Sequence, residues 1–484
     1  MTVSLINNFI NGKYVAPLNE KYLDSFDPST GKPYIKVADS TKEDVNAAVE
    51  AAERAFPAWS KLPRDKRSEI LLRIADLLES RIEEFASAES KDQGKPLQLA
   101  AHADVPRAVL MFRYFGTLIL HLQEKVNVTD GIALSYTQRT PTGVAGLISP
   151  WNLPLYLLVW KIAPCLASGC TCVCKPSEFT SVTANMLCSV MKDAGLPDGV
   201  CNMVFGTGPQ AGAALVEHPK VPLVSFTGGS VAGEKISELA GRHLKKLTLE
   251  LGGKNANIIF EDADLDACVP KSIHAAFLNQ GEICLCGSRV FVQESIYDKF
   301  LSRFVNEARA LKVGDPRDKD SFMGPVVSKQ HFEKIMSYID IARNDGGKIE
   351  CGGQAPSHLK GSEFENGYFI EPTVITGLKP ESRVMQEEIF GPVVTVYPFK
   401  TEEEAIALAN GCKYGLSASV WSRDGQRARR VAEKLQVGNV WINTWMIRDM
   451  SMPFGGVKAS GRGREGGEHA INFFTDYKTI ILAD

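Results

Sequence analysis

Three side chains of this 484-residue sequence could together run a thioester chemistry. Cys284 stands in Gly281-Glu282-Ile283-Cys284, with Cys286 two residues on. A thiolate attacks carbonyl carbon readily, yet an isolated cysteine is more often a small buried apolar side chain. The C-x-C spacing alone also fits a redox or metal site, but no C-x-x-C and no nearby histidine cluster accompanies it, which argues against zinc. Glu250 follows an apolar run at 247–249 and precedes Leu251-Gly252-Gly253. Its carboxylate is either a water-activating base projecting into a cleft or a solvated strand end. Asn152 lies between prolines in Pro150-Trp151-Asn152-Leu153-Pro154. Its amide is either a fixed donor for a developing oxyanion or an ordinary turn residue.

Strands and helices must bring these groups together. Residues 143–148, 170–174, 200–204 and 223–226 read as short apolar strands. Strand, turn and helix recur over 143–251, which predicts a parallel, doubly wound, Rossmann-like α/β sheet. Residues 41–56 and 66–89 read as amphipathic helices, the first opened by a Thr cap. A second α/β pattern follows Gly253, with strands at 289–292 and 439–442, a segment at 393–398, and helices at 295–310 and 402–409. Residues 135–138 and 479–482 look like strands detached from either core. Gly206-Thr207-Gly208-Pro209-Gln210-Ala211-Gly212 is a loose glycine pattern, weak by itself. Phe226-Thr227-Gly228-Gly229-Ser230 leads into a helix whose N-terminus can face a pyrophosphate.

Seven segments in order resemble the aldehyde dehydrogenase superfamily: Pro150 to Pro154, Lys175-Pro176-Ser177-Glu178, Phe226-Thr227-Gly228, Glu250-Leu251-Gly252-Gly253-Lys254, Gly281 to Cys284, Glu388-Ile389-Phe390-Gly391-Pro392 and Pro453-Phe454-Gly455-Gly456. The likeness runs from Phe9-Ile10-Asn11-Gly12 to Phe473-Phe474-Thr475. It implies an NAD-binding domain at 1–120 and 139–252 and a catalytic domain at 253–450. Residues 121–138 and 451–484 become a small β oligomerisation element and C-terminal segment. It further implies that Cys284 is the nucleophile, that Asn152 and the Cys284 N–H hold the oxyanion, and that Glu250 activates water. The implied NAD contacts are Ile148, Ser149, Trp151, Lys175, Glu178, Gly208, Gly212, Phe226, Gly228, Gly229, Ser230, Leu251, Glu388 and Phe390. Lys175 and Glu178 would bind the adenosine ribose, where a carboxylate accepts from the 2′-OH and repels a 2′-phosphate, favouring NAD over NADP. The family often has Gln where Glu282 stands and Ser where Gly229 stands. A homotetramer built from dimers is implied, with the strand near 479–482 pairing between subunits.

Within the family, four segments are most similar to the branch acting on 2-aminomuconic and 2-hydroxymuconic semialdehydes. They are Asp104-Val105-Pro106-Arg107, the run from Leu147 to Tyr156, Gly281 to Cys286, and Asn443-Thr444-Trp445-Met446-Ile447-Arg448-Asp449. This likeness implies an acidic aldehyde from tryptophan breakdown by the kynurenine route. Arg107 and Arg448 would grip its carboxylates, and Trp445 would line the tunnel. The planar, always charged arginine fork suits bidentate carboxylate binding. Arg113 competes with Arg107 for that role. Retinal and aliphatic aldehydes stay open as substrates. Glu250 argues against acyl transfer to coenzyme A. Cys284, Asn152 and Glu250 together argue against an idle, crystallin-like scaffold.

Composition narrows the partners. The chain is 44% hydrophobic and 23% charged, with formal net charge -3 and mixed signs along its length. That gives no electrostatic case for nucleic acid or an anionic membrane. The most apolar stretch, 153–167, holds Lys161 and two prolines and falls short of the ~20 residues of a membrane span. Residues 1–9 lack a basic-then-apolar leader, so no signal peptide is expected. Eleven cysteines without a leader point to a reducing, cytoplasmic setting. Cys170, Cys172 and Cys174 alternate as buried strand thiols would, and no metal is expected.

Overall fold

The structure, a computed structural model, describes residues 4–483, so residues 1–3 and 484 of the expected domains lie outside the described residues. Five parallel strands lie in the order Lys246–Glu250, Leu223–Thr227, Val144–Ile148, Thr171–Lys175 and Cys201–Met203. Asn8–Ile10 and Lys13–Val15 extend one edge in antiparallel fashion, and Gly461–Arg462 extends the other. The central strands Val144–Ile148 and Thr171–Lys175 are buried along their whole length because helices cover both faces. Val45 and Val49 of helix Lys42–Lys61 pack on the Val173 face. Helix Pro154–Ser168 packs on the Cys172 and Cys174 face.

The parallel part of this sheet begins at Val144–Ile148, winds outward to Cys201–Met203, then restarts at Leu223–Thr227 on the other side. Strand order therefore reverses between Val144–Ile148 and Leu223–Thr227. In such sheets the crevice beyond the carboxyl ends at that reversal accepts ligands. Asn152 follows the first of these strands and Gly228-Gly229 the second, while Glu250 ends the strand beside them.

A seven-stranded sheet lies in the order Lys348–Cys351, Thr373–Thr376, Val393–Phe399, Arg289–Gln293, Ala256–Ile259, Ser417–Trp421 and Asn439–Ile442. It is parallel except at Lys348–Cys351. The two detached segments pair with each other. Ala133–Pro141 runs antiparallel to Thr475–Ala483, with Ser135 opposite Ile481, and Val126–Thr129 flanks it.

Two helix readings change. The helix expected at 41–56 spans Lys42–Lys61 and continues through Pro57, held at its start by Thr41 N donating to Asp44 Oδ2 at 2.8 Å. The single helix expected at 66–89 is two, Arg64–Glu79 and Ile82–Gln93. Ser80 Oγ turns back to the Leu77 carbonyl at 2.8 Å, and Arg81 leaves the helical region at φ -119 and ψ 20. Side-chain bonds to nearby carbonyls offer the backbone such an exit without interrupting apolar periodicity.

Candidate active site

Of the eleven free cysteines, Cys284 alone is not fully buried. The loop carrying it enters through Asn279, Gln280 and Gly281, all left-handed at φ 53, 57 and 71. At Gly281 a side chain would collide with the Gly391 backbone. Consecutive strained residues persist only where their surroundings hold them, and here the carbonyls are pinned in turn. Asn152 Nδ2 donates to Glu282 O at 2.8 Å and Cys286 N to Ile283 O at 2.9 Å. Asn255 Nδ2 donates to Cys284 O at 2.7 Å and Cys286 O at 2.8 Å, and Trp445 Nε1 to Leu285 O at 2.9 Å. The Cys284 N–H donates to no acceptor of another residue among the described residues, which leaves it free for an oxyanion.

Glu282 braces the loop from beneath. It is wholly buried, accepting from Gln93 Nε2 at 2.7 Å and Val327 N at 3.3 Å. Lys95 pairs with buried Asp104 and donates to the Asn152 carbonyl at 3.0 Å. Glu89 accepts from Leu155 N at 3.3 Å, capping the helix that begins just after Asn152. A carboxyl acceptor at an orphan helix N–H is a stabilising arrangement.

Cys284, Asn152 and Glu250 line one cavity of about 290 Å³. Apolar burial pushes the Cys284 thiol up to about 12, aided by the Glu250 and Glu388 charges and opposed by Arg448. A thiol in that state needs a base before it attacks. Burial, then the charge of Glu465, holds Glu250 well above the usual carboxylate range, against the pull of Lys161, Arg448 and Arg464. Glu250 Oε1 is buried and unpartnered. Gly455 leaves it room, since a side chain there would come within 2.7 Å of that oxygen. Glu465 is fixed by buried Lys161, whose Nζ lies 2.8 Å from Glu465 Oε1 and 3.0 Å from Ser225 Oγ. A carboxyl whose proton affinity is raised by burial is suited to general-base work.

The cavity also takes in Trp151, Gly228, Gly229, Leu251, Glu388 and Phe390. Glu388 Oε1 accepts from Gly253 N at 2.9 Å, and a side chain at Gly252 would overlap that carboxylate. Phe390 is left-handed at φ 62 and meets the Trp151 ring edge-on at 5.4 Å. Ile148, Ser149, Lys175, Glu178, Gly208, Gly212, Phe226 and Ser230 lie outside this lining. Lys175 ends the strand next to Ile148, with its Nζ 2.9 Å from Glu178 Oε2. Gly228 lies over the Phe226 ring with no space for a Cβ, whereas Gly208, Gly212 and Gly229 open onto free space. Ser149 Oγ and Ser230 Oγ are buried without partners, the latter in the first turn of helix Ser230–Gly241. Orphaned hydroxyls, open glycines and a helix N-terminus at the strand-order reversal suit a phosphate-bearing dinucleotide.

Arg448 lines the cavity and Arg107 does not. The Arg448 loop turns through left-handed Asn443 and Met446 and is tied by Trp441 Nε1 donating to Ile447 O at 2.8 Å. Neither arginine has a carboxylate within ion-pair distance among the described residues; both approach Tyr156, Arg107 at 5.8 Å from the ring and Arg448 Nη1 at 3.5 Å from the hydroxyl. Arg113 is instead spent on Asp76 and Glu79 at the surface. Trp445 is buried behind the nucleophile loop, and its neighbour Met446 faces the cavity. The structure corrects the placement of Trp445 because its indole N–H is turned toward the Leu285 carbonyl.

Cys172, Cys174 and Cys201 bring their sulfurs within 4.8 Å of one another inside the core. Cys201 joins from the adjacent strand, directly opposite Cys172, while Cys170 turns away to the Phe474 carbonyl at 3.0 Å.

Comparisons with known proteins agree with this geometry. The aldehyde dehydrogenase family model matches residues 14–480. The mouse protein named 2-aminomuconic semialdehyde dehydrogenase is 55% identical over 479 residues, covering 99% of this chain and 98% of that one. A Pseudomonas protein named 2-hydroxymuconic semialdehyde dehydrogenase is 42% identical, with 99% of each chain covered. The NAD+ complex of a Bacillus cereus aldehyde dehydrogenase superposes with TM-score 0.96 at 38% identity, covering 99% of this chain and 97% of that one. With a reachable cysteine, an amide donor and a buried carboxylate on one cavity of that same fold, the chain belongs to the aldehyde dehydrogenase family.

Proposed function

We propose that the chain oxidises 2-aminomuconate 6-semialdehyde, or a closely similar acidic semialdehyde, to the carboxylate with NAD as acceptor, within the kynurenine branch of tryptophan breakdown. The observation that carries this is the absence, among the described residues, of carboxylate partners around half-buried Arg107 and Arg448. Cationic forks left without internal anions beside a reactive cavity favour an anionic ligand. The names of the mouse and Pseudomonas relatives support the same substrate class.

In this reading the Cys284 thiol gives its proton to solvent water, and the resulting thiolate attacks the aldehyde carbon. Asn152 and the Cys284 N–H receive the oxyanion of the thiohemiacetal, each such donor contributing ~3–4 kcal/mol at the transition state. Bound NAD would supply the hydride acceptor for that carbon. A thioester remains on Cys284. Glu250 draws a proton from water, the hydroxyl attacks the thioester carbon, and the carboxylate departs as the thiolate is restored. Lys175 and Glu178 would hold the adenosine ribose, Glu388 and Phe390 the nicotinamide ribose side. Ile148, Ser149, Trp151, Gly208, Gly212, Phe226, Gly228, Gly229, Ser230 and Leu251 would wall the rest.

Residues 1–120 and 139–252 would form the NAD-binding domain, 253–450 the catalytic domain, and 121–138 with 451–484 the assembling segments. A homotetramer is supported by the unpaired edge of Thr475–Ala483 and by exposed Val126, Val128, Ile481 and Leu482 on that sheet. A reducing cytoplasmic setting is supported by the unpaired state of all eleven cysteines. Among the described residues no helix is long and apolar enough to cross a membrane.

The test is a comparison of aminomuconic and hydroxymuconic semialdehydes against retinal and hexanal, each with NAD and NADP. The acidic semialdehydes with NAD should give the highest kcat/KM. Equal efficiency across substrates, or with both cofactors, contradicts the corresponding part of the reading.

A further inference from the structure

Tyr156 lies against both arginines and closes the run from Leu147 to Tyr156 that carries the resemblance, yet that likeness gives the side chain no role of its own. It lies one helical turn before Trp160 on helix Pro154–Ser168, and both rings line the cavity. The two meet edge-to-face at 5.4 Å, which fixes the tyrosine ring. Only 1% of Tyr156 is exposed. Its hydroxyl accepts from Arg448 Nη1 at 3.5 Å and makes no other hydrogen bond among the described residues. That distance is long for a hydrogen bond, so neither group is fully committed to the other.

Arg448 is itself held by aromatic faces. Its guanidinium carbon lies 4.3 Å from the Trp160 ring centre and 3.7 Å from that of Phe454. Cation–π contacts of this kind anchor the cation while leaving guanidinium N–H edges for an anion. A phenol has one proton to give and lone pairs to receive. With arginine as the donor to its oxygen, the Tyr156 proton is unspent. Burial also keeps that proton in place, pushing the phenol up, with Arg448 and Arg107 pulling the other way.

We propose that Tyr156 is a specificity-determining residue that donates its phenolic hydrogen bond to the substrate carboxylate gripped by Arg448, and so discriminates acidic semialdehydes from neutral aldehydes. This rests on the acidic-semialdehyde reading above. The hydroxyl adds direction to the arginine charge: a carboxylate oxygen satisfies both the fork and the phenol, whereas a methyl end group leaves the buried phenol proton unpaired. Sites with buried polar groups reject ligands that leave those groups unsatisfied.

The experiment compares 6-oxohexanoate with hexanal, aldehydes of equal length that differ in the terminal carboxylate. The ratio of their kcat/KM values is measured for the native chain, Tyr156→Phe and Arg448→Ala. The ratio is taken within each preparation, so the active-site count cancels and misfolded protein does not enter it. Tyr156→Phe keeps the ring that packs on Trp160 and should lower the ratio about tenfold, as for loss of one hydrogen bond to a charged group. A native preference for 6-oxohexanoate that collapses in Arg448→Ala but survives whole in Tyr156→Phe overturns the role of Tyr156 and leaves the substrate reading standing. A native ratio near one overturns both.

Discussion

Glu250→Gln should form about one NADH per active site and then nearly stop. Steady-state kcat should fall roughly a thousandfold, the middle of the range for losing a positioned general base, while the burst survives. Glutamine keeps the shape of the side chain beside Gly455 but cannot take a proton from water. The thiohemiacetal donors, Asn152 and the Cys284 N–H, are untouched. The pH dependence has a definite sign. Burial and Glu465 raise the proton affinity of Glu250, so its base form is lost as pH falls through that elevated value. Deacylation in the native enzyme should therefore rise with pH, with its inflection above the ordinary carboxylate range, and the glutamine variant should lose that inflection. Stopped-flow NADH absorbance checks both; ordinary multiple turnover by the variant would contradict the assignment.

Arg448→Ala should cut kcat/KM for 6-oxohexanoate about a hundredfold more than for hexanal. Removing one member of a buried, hydrogen-bonded charge pair costs ~2–5 kcal/mol, and a hundredfold corresponds to about 2.7 kcal/mol. The loss should be carried mainly by KM, since the guanidinium binds the carboxylate alike before and during hydride departure. The variant also removes a cation whose charge lowers the proton affinities of Cys284 and Glu250. Hexanal turnover controls for that effect because both aldehydes share it. Equal losses for the two substrates would remove Arg448 from substrate recognition.

The parallel sheet was legible in the sequence for physical reasons, whereas Cys284, Asn152 and Glu250 stood out together only through the family resemblance. Strands buried on both faces carry few polar residues, so 143–148 and 170–174 stand out. A lone lysine in an apolar helix was also a visible signal: Lys161 must be paired to be buried, and it is. Its partner was not legible, because Glu465 lies 304 residues away and the sequence around it shows no periodicity that leads to Lys161. The same holds for the pairing of 135–138 with 479–482, which only the closed fold decides. Glu282 looked like an incidental departure from the family pattern. Its burial and the donors from Gln93 and Val327 show that it holds the nucleophile loop in shape. Trp445 was legible as a large residue near the substrate loop, but sequence spacing cannot tell which neighbour in a left-handed turn faces the cavity. Tyr156 stood at the end of a run that carries the likeness, but its own role was not legible, since an aromatic at helical spacing reads as core.

The most direct measurement is mass mapping of the acyl group trapped on Glu250→Gln after mixing with NAD and 6-oxohexanoate. Cys284 and Cys286 fall on the same tryptic peptide, so fragmentation between them is required. The thioester mechanism predicts the acyl mass on Cys284, with Cys286, which is buried behind it, unmodified. An acyl mass on Cys286, or continued NADH production with no covalent species on either sulfur, would contradict it.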